Sequence, residues 1–232
     1  MLRFFVLSLF LYSSAALCAR NGIRVSSAEY PNILYLKKSK CSAIVLSRNW
    51  ALSLAHCFTN RKFDNLYDSN NDYKAKVLKV KILSKERSEE LALIKIKSTK
   101  DYWPERISKI YDKLPTSSDI LFQVGFGRGI NEKFAQSLKK TELAFSEIYE
   151  EKRWPMISLK PIDHLNAHPC QGDSGSPLFI EKNGVTYLLG ITSFINHSQY
   201  RLGKKSDRQI CKQANRSYFI PLYMFQDFIF NI

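Results

Sequence analysis

Short runs of apolar or alternating residues, separated by turn-forming residues, recur over most of this chain and limit its fold more than any other feature. The runs lie at 33–36, 42–46, 50–54, 74–83, 91–96, 120–126, 156–159, 177–180 and 185–193. Turn signals such as Asn70-Asn71-Asp72 and Asn183-Gly184 separate neighbouring runs. The alternation in 74–83 changes phase at Leu78-Lys79, which predicts a bulge in a half-exposed strand. Many short strands in succession predict an all-β barrel fold.

A helical pattern occurs at the C-terminal end of the chain. Pro221 is suited to a helix start, and Leu222, Phe225, Phe228 and Ile229 then fall on one face. The chain has 232 residues, of which 45% are hydrophobic, so it can bury a substantial core, and wholesale disorder is excluded. We therefore expect an all-β barrel architecture that ends in an α-helix.

The N-terminal residues are typical of an export signal. One positive charge, Arg3, precedes an apolar run over 4–12, and small residues follow over 13–18. Signal cleavage after Cys18 or after Ala16 fits this pattern. The apolar run is too short for a membrane anchor, and no second long apolar stretch follows. We predict a signal peptide over 1–18, a single domain over 19–232, and a secreted, extracellular protein that does not span a membrane.

Four cysteines remain if Cys18 leaves with the signal. These are Cys41, Cys57, Cys170 and Cys211. An even number of cysteines in an exported chain predicts two disulfides, for which three pairings are open. Asn196 and Asn215 each begin an N-glycosylation sequon, which makes them candidate glycan sites in a host that secretes through an endoplasmic reticulum.

Two segments carry the residue types of nucleophilic catalysis. In the segment CQGDSGSPL at 170–178, Ser174 lies between an aspartate and a glycine in a predicted tight turn. Such a turn can expose the hydroxyl and direct backbone N–H groups at one point, as a nucleophile and an oxyanion hole require. In the segment LSLAHC at 52–57, His56 follows an apolar run and precedes a cysteine.

These segments, in this order, resemble the trypsin/chymotrypsin-like serine proteases. The resemblance extends to CSAIVLSRNW at 41–50, ELALIKI at 90–96, VGFG at 124–127 and GITSF at 190–194. The segments cover the chain from about Asn21 to the final helix in the family order. The fold that the resemblance implies is two packed six-stranded antiparallel β-barrels with the active site in the cleft between them.

The resemblance implies a role for each matching residue. Ser174 would attack the scissile carbonyl, His56 would take its proton, and Glu90 falls where the family has the orienting aspartate. The backbone N–H groups of Gly172 and Ser174 would hold the oxyanion. The implied disulfides are Cys41–Cys57 beside the histidine and Cys170–Cys211 beside the serine.

The chain departs from the family pattern at the triad acid and at the amino terminus. Glu90 keeps a carboxylate but is one methylene longer than aspartate. In the family a freed hydrophobic amino terminus pairs with the aspartate beside the serine, here Asp173. This chain has Ala19 at the place of that terminus, with no recognisable activation peptide.

The residues that match the specificity pocket also differ from the family pattern. His168 falls at the pocket floor, where trypsin-like members have an acid. Ile195 and Ser217 fall at two wall positions where the family usually has glycine, and Tyr200 follows in the next loop. Together with the substrate-pairing strand, the predicted pocket residues are His168, Ser193, Phe194, Ile195, Tyr200 and Ser217. We predict a narrowed entrance and negligible cleavage after Lys or Arg.

Two other ligand classes were weighed against the protease pattern. Asp163, His164, His168 and Cys170 have a spacing that suggests a metal site, but a disulfide would consume Cys170, so we expect no metal and no cofactor. The formal net charge of +14 includes lysine clusters at 37–40, 74–81 and 204–205. They indicate either a site for heparin-like polyanions or a scattered, solvated basic surface.

Two functions from different classes remain open. One is an endopeptidase that works through an acyl-enzyme on Ser174, with weak activity or altered specificity. The other is an inactive protease homologue that binds other proteins. Both imply protein or peptide partners, and we expect a monomer without sequence-specific nucleic-acid binding.

Overall fold

The described part of the chain consists mainly of antiparallel strands. The computed structural model describes residues 22–59, 65–83, 91–104, 107, 109–128, 137–151, 154–162, 167–196, 211 and 214–231, with the backbone alone at 151, 154 and 194–196. The strands are β1 (Ile23–Arg24), β2 (Ile33–Leu36), β3 (Cys41–Ser47), β4 (Trp50–Leu54), β5 (Asn65–Tyr67), β6 (Tyr73–Ile82), β7 (Leu91–Ser98), β8 (Ile120–Gly125), β9 (Lys139–Glu151), β10 (Trp154–Pro161), β11 (Pro177–Lys182), β12 (Val185–Asn196) and β13 (Arg216–Pro221). One helix follows, α1 (Gln226–Phe230).

The first six-stranded barrel comes from the N-terminal half of the chain. Its strands pair in the order β2, β3, β4, β7, β6, β5, and β5 closes the ring by pairing with β2. Inward side chains such as Leu36, Ile44 and Leu52 are fully buried, as the alternation of apolar residues requires. The register of β6 against β7 shifts between Val77 and Lys79, so the predicted bulge is confirmed.

The second six-stranded barrel comes from the C-terminal half of the chain. Its strands pair in the order β9, β10, β13, β12, β11, β8, and β8 closes the ring by pairing with β9. The two-residue strand β1 adds to the outside edge of β9, with Ile23 opposite Lys140 and Arg24 opposite Lys139. The predicted fold class, two six-stranded antiparallel barrels with a C-terminal helix, is confirmed.

The two barrels share an apolar core across their interface. Tyr35 of β2 stacks against Phe126, which follows β8, with ring centroids 5.3 Å apart. The ring centroids of Tyr30 and of Phe179 in β11 lie 6.5 Å apart. These contacts join residues of the N-terminal half to residues of the C-terminal half, so they hold the two barrels together.

The C-terminal helix is shorter than the sequence pattern suggests. Pro221 ends β13, a 3-10 turn covers Leu222–Phe225, and only Gln226–Phe230 is α-helical. Leu222 and Ile229 are buried against the core, as the pattern of apolar positions predicts. Within the described residues, no helix is long and apolar enough to cross a membrane.

Candidate active site

Both disulfides that the family resemblance implies are formed. Cys41, the first residue of β3, pairs with Cys57, and Cys170 pairs with Cys211. Cys41, His56 and Cys57 place possible ligand atoms within 4.8 Å of one another. Those two sulfurs are bonded to each other, so they are not thiolate ligands for a metal. The alternative metal set loses Cys170 in the same way, while Asp163 and His164 lie outside the described residues.

His56 lies in a 3-10 turn that directly follows β4, here called the histidine turn (Ala55–Phe58). Cys57 and Phe58 point inward and are buried, while His56 is exposed at the surface. The Cys57 disulfide ties the turn to the start of β3. A strand that ends in a tight turn with two buried anchors therefore presents the imidazole to solvent.

Ser174 lies in a glycine-rich loop between the Cys170 disulfide and β11, here called the serine loop (170–176). Gly172 and Gly175 adopt φ angles of 105° and 83°, which side chains other than glycine rarely tolerate. A Cβ on Gly175 would lie less than 3 Å from Ser53 Oγ and from the carbonyl of Ser42. The loop therefore packs directly on β3 and β4 of the first barrel, and β4 leads into the histidine turn.

Ser42 of β3 anchors the serine loop through two hydrogen bonds and makes a third with the residue that follows β8. Its N–H donates to the carbonyl of Ser174 at 2.8 Å, and its hydroxyl donates to the carbonyl of Gly172 at 2.8 Å. The same hydroxyl accepts the N–H of Phe126 at 3.1 Å. On the other side, Gly175 N–H donates to the carbonyl of Thr192 in β12 at 3.0 Å. Both barrels thus fix the backbone around Ser174.

The donors of the predicted oxyanion hole have no internal partner. Among the described residues, neither the N–H of Gly172 nor that of Ser174 donates a hydrogen bond within the protein. An unpaired N–H in a buried backbone segment is costly unless water or a ligand accepts its hydrogen bond. The Ser174 side chain is half-exposed, and its hydroxyl makes no hydrogen bond to a described residue. Its predicted contact with His56 stays a prediction.

Asp173 points away from Ser174 into the second barrel. Its Oδ1 accepts the N–H of Gly127 at 2.8 Å, and its Oδ2 accepts the N–H of Cys170 at 2.8 Å. Burial raises the pKa of Asp173 to about 6, against the opposing effects of these hydrogen bonds and of the nearby Lys139 ammonium. The expected partner Ala19 lies outside the described residues.

Most of the predicted pocket residues that the structure describes lie on the paired strands β12 and β13. Ser217 of β13 is fully buried and stands opposite Ile195 of β12, and Phe194 stands opposite Tyr218. His168 is buried, with its Nδ1 2.7 Å from the carbonyl of Pro169. Ser193 is half-buried on the same strand as Ile195. The register places Ile195 and Ser217 opposite each other on paired strands, while their assignment to the pocket and the narrowing of its entrance stay predictions.

Several predicted site residues lie outside the described residues. These are Glu90, Tyr200 and Ala19. Of the two sequons, Asn215 is exposed directly before β13, and Asn196 ends β12. Their glycosylation stays a prediction.

Residues that sequence reasoning did not single out complete the site. Ser42, Ser53, Gln123 and Lys139 contact the serine loop or lie beside Asp173. Ser42, Ser53 and Gln123 are common residue types inside predicted strands, and Lys139 lies in a segment for which the pattern predicts no strand. No local signal sets them apart, because their role depends on which strands pair in three dimensions.

The comparisons with known proteins agree with this geometry. The family model described as Trypsin matches residues 20–229 of the chain. Proteins named hepatocyte growth factor activator serine protease from Homo sapiens and Canis lupus familiaris are each 33% identical over 70 residues. The aligned segment covers 30% of this chain but only 11% of each of those relatives. With the family model matching nearly the whole chain and both barrels in place, this chain belongs to the trypsin family.

Proposed function

We propose that the protein is a secreted serine endopeptidase with weak activity or altered specificity. The observation that carries the proposal is the serine loop, where the N–H groups of Gly172 and of the half-exposed Ser174 have no hydrogen-bond partner among the described residues. Such a pair of donors is what stabilises the oxyanion of a tetrahedral intermediate. The loop packs on the strand that leads into the histidine turn, so a base is available from the neighbouring barrel.

The reaction follows from these groups. Ser174 Oγ attacks the scissile carbonyl carbon and passes its proton to His56, while the carbonyl oxygen takes both N–H bonds of Gly172 and Ser174. His56 then gives the proton to the leaving amine, and a water molecule hydrolyses the acyl-enzyme in the same way. Glu90 is assigned the role of orienting the imidazole. Its greater length is expected to reduce turnover, because a displacement of about 1 Å costs about 10²-fold.

The second candidate function is binding of other proteins without catalysis. The pocket wall favours it, since Ser217 is fully buried opposite Ile195 where the family usually has two glycines. A closed pocket would leave the cleft as a docking surface for a protein target.

Peptide cleavage separates the two candidates. The protein is incubated with a diverse peptide library beside Ser174→Ala, with Ser118→Ala as the control at an exposed serine. We expect products, absent from Ser174→Ala, with little cleavage after Lys or Arg. Ile195→Gly should increase cleavage if the wall obstructs the pocket. Cleavage that survives Ser174→Ala, or no cleavage by any form, would reject the endopeptidase.

The proposal of secretion depends on the signal sequence and is supported by the two disulfides. In a secreting eukaryotic host we expect the protein in the medium with its terminus at Ala19, or at Leu17 after the alternative cleavage. N-terminal sequencing that begins at Val25 or later would contradict this. A mass increase that Asn215→Gln removes would show that the exposed sequon carries a glycan.

We also propose that the outer face of β6 and β7 binds a heparin-like polyanion. Lys76, Lys79 and Lys81 of β6 and Lys95 and Lys97 of β7 are exposed there, here called the basic face. Lys76 stands directly opposite Lys97, and Lys79 directly opposite Lys95. Like charges in such pairs destabilise a sheet, so an anion bound across both strands would relieve repulsion that the free protein carries.

Salt-dependent retention on immobilised heparin tests the basic face. Lys79→Gln/Lys95→Gln should elute at clearly lower salt, because fewer counterions are released on binding. Lys113→Gln/Lys160→Gln removes two exposed lysines from the second barrel and serves as the control of equal charge. Equal retention of the two double variants would show that only net charge acts and would reject a defined site.

A further inference from the structure

Lys139 is the buried cation of the described structure. It is 5% exposed, and no other lysine or arginine among the described residues is buried. An ammonium group in such a place is very costly unless an opposite charge and hydrogen-bond acceptors surround it. Lys139 opens β9, with its backbone opposite Gly125 of β8 on one side and Arg24 of β1 on the other. Its position is therefore fixed by strands on both sides.

The Lys139 side chain reaches the group that holds Asp173. Its Nζ donates a hydrogen bond to the carbonyl of Gly127 at 3.1 Å, and the N–H of Gly127 donates to Asp173 Oδ1 at 2.8 Å. Gly127 thus connects the ammonium of Lys139 to the carboxylate of Asp173. A Cβ on Gly127 would overlap the Asp173 carboxylate, so the backbone approaches that closely only because the residue is glycine. The positive charge also lowers the pKa of Asp173, against the effect of burial.

The N-terminal segment leads to the same place. Val25 N–H donates to the carbonyl of Leu138 at 3.1 Å, and Arg24 stands opposite Lys139. Gly22, at φ 63°, packs against Lys140 and Thr141, and Thr141 lines a small cleft together with Lys139 and Asp173. Three residues precede Gly22 from Ala19, a span of at most about 10 Å. The described part of the chain begins beside the cluster that contains Lys139 and Asp173.

We propose that Lys139 is the internal counter-ion that orders the serine loop, so that the loop keeps its geometry without a free amino terminus at Ala19. Lys139 is a positioning residue: it acts through Gly127 and Asp173 on the neighbouring Ser174. Its effect on catalysis rests on the proposed peptidase function, whereas its effect on loop order does not. The inference adds a form of regulation, since processing at the N-terminus would then not be the step that switches the site on.

Two measurements on two N-terminal forms test this role. One form begins at Ala19, and the other carries a short Gly-Ser extension that removes the ammonium from that place. Amide hydrogen exchange at Gly127 and Cys170 reports the two hydrogen bonds to Asp173. Labelling of Ser174 by a fluorophosphonate probe reports the activated serine. Lys140→Met is the matched control, because the next lysine lies over the ring of Phe122 and outside this cluster.

In the extended form, we expect wild type and Lys140→Met to keep amide protection and labelling. Lys139→Met should lose at least about tenfold in both, and Lys139→Arg should recover part of each. Removing the cation also withdraws the effect that lowers the pKa of Asp173, so the labelling–pH profile of Lys139→Met should move to higher pH. Arg128 and His168 are the other charged or titratable groups that line this cleft, and they are unchanged in every variant.

Each outcome decides the inference. If the Gly-Ser extension abolishes amide protection at Gly127 and Cys170 in the wild type, then the free amino terminus, and not Lys139, holds the serine loop. Unchanged protection in extended Lys139→Met would reject the role as well. If Lys139→Met fails to fold, the extended wild type and Lys139→Arg still give the comparison. Protection that depends on Lys139 without any labelling would support the inference and reject the peptidase function.

Discussion

The serine loop and the histidine turn carry the two halves of the proposed catalytic machinery, and they are held in different ways. The serine loop accepts hydrogen bonds from Ser42 of β3 and from Gly127 after β8, and it donates one to the carbonyl of Thr192 in β12. The histidine turn has a disulfide and two buried side chains beneath an exposed His56. The backbone of the serine loop is held by hydrogen bonds at several residues. The histidine turn is anchored by buried side chains, while the imidazole of His56 faces solvent.

This difference follows from what each half must present. An oxyanion hole is made of backbone N–H groups, which cannot be adjusted by a rotamer change, so the loop must be held from several sides. A general base is a side chain with two rotatable bonds, and a firm turn beneath it is sufficient for its placement. Changes in the serine loop should therefore be more damaging than comparable changes in the histidine turn.

The largest effect is expected at Gly175. Gly175→Ala puts a Cβ less than 3 Å from Ser53 Oγ and Ser42 O at φ 83°, which should cost more than about 4 kcal/mol of unfolding free energy. The matched control is Gly184→Ala, at φ 72° with nothing within 4 Å, which should cost only about 1–2 kcal/mol. Denaturant unfolding measures both. Equal costs would show that backbone strain alone, not close packing on the first barrel, governs the loop.

Removing the disulfide of the histidine turn should have the next largest effect. Cys41→Ser/Cys57→Ser opens a link over a sequence separation of 16 residues, worth about 3 kcal/mol in the chain-entropy account. Labelling of Ser174 should also fall, since His56 loses its anchor. Amide exchange under native conditions should still protect Gly127 and Cys170. Loss of that protection would mean that the two regions are not held independently.

Asp173 gives the serine loop a pH dependence. Its pKa is about 6 in the folded protein, against 3.8 for the free side chain, so the folded state binds the proton more tightly. Stability should therefore fall as pH rises from 4 to 7, by up to about 3 kcal/mol relative to Asp173→Asn, which does not titrate there. Thermal unfolding of both forms across this range gives the slope. A relative stability that instead rises with pH would mean that the Lys139 charge outweighs burial.

The smallest expected effects compare one hydroxyl from each region. Ser42→Ala removes a buried hydroxyl that bonds Gly172 O and Phe126 N–H, which should cost about 2 kcal/mol. Thr59→Ala removes an exposed hydroxyl that donates to His56 O at 3.1 Å, which should cost no more than about 0.5 kcal/mol. Chemical denaturation resolves the difference. A larger cost at Thr59 would reverse the assigned order of rigidity.

Much of the fold could be predicted from residue patterns, but the strand β9 could not. Its segment KKTELAFSEIYEE is rich in Lys and Glu, which favour helices over strands. It is a strand because β8 and β10 pair along it, and because Glu147 forms an ion pair with Arg216 of β13. The strands β5 and β13 were also missed. β5 has only three residues, too few for an alternating pattern, and β13 pairs with β10 and β12, which lie earlier in the sequence.

The candidate site divides in the same way. The family resemblance predicted both disulfides, which are formed, and together with the glycine pattern around Ser174 it gave the catalytic assignment, which stays a proposal. The supporting groups could not be found, because nothing in the sequence marks Lys139 as inward-facing beside the exposed-type residue Lys140. Burial of a lysine is decided by where Asp173 and Gly127 lie in the folded chain, which is a property of strand pairing rather than of local composition.

Labelling by a fluorophosphonate probe, with the modified residue identified by mass spectrometry, tests the central claim most directly. The claim is that a fixed serine loop presents Ser174 as an activated nucleophile to His56. Wild-type protein is compared with Ser174→Ala, His56→Ala and the exposed control Ser118→Ala. The account predicts that Ser174 is modified in the wild type and in the control, at a rate at least about 10²-fold lower in His56→Ala. An unmodified Ser174 in folded wild-type protein, or a rate that does not depend on His56, would contradict it.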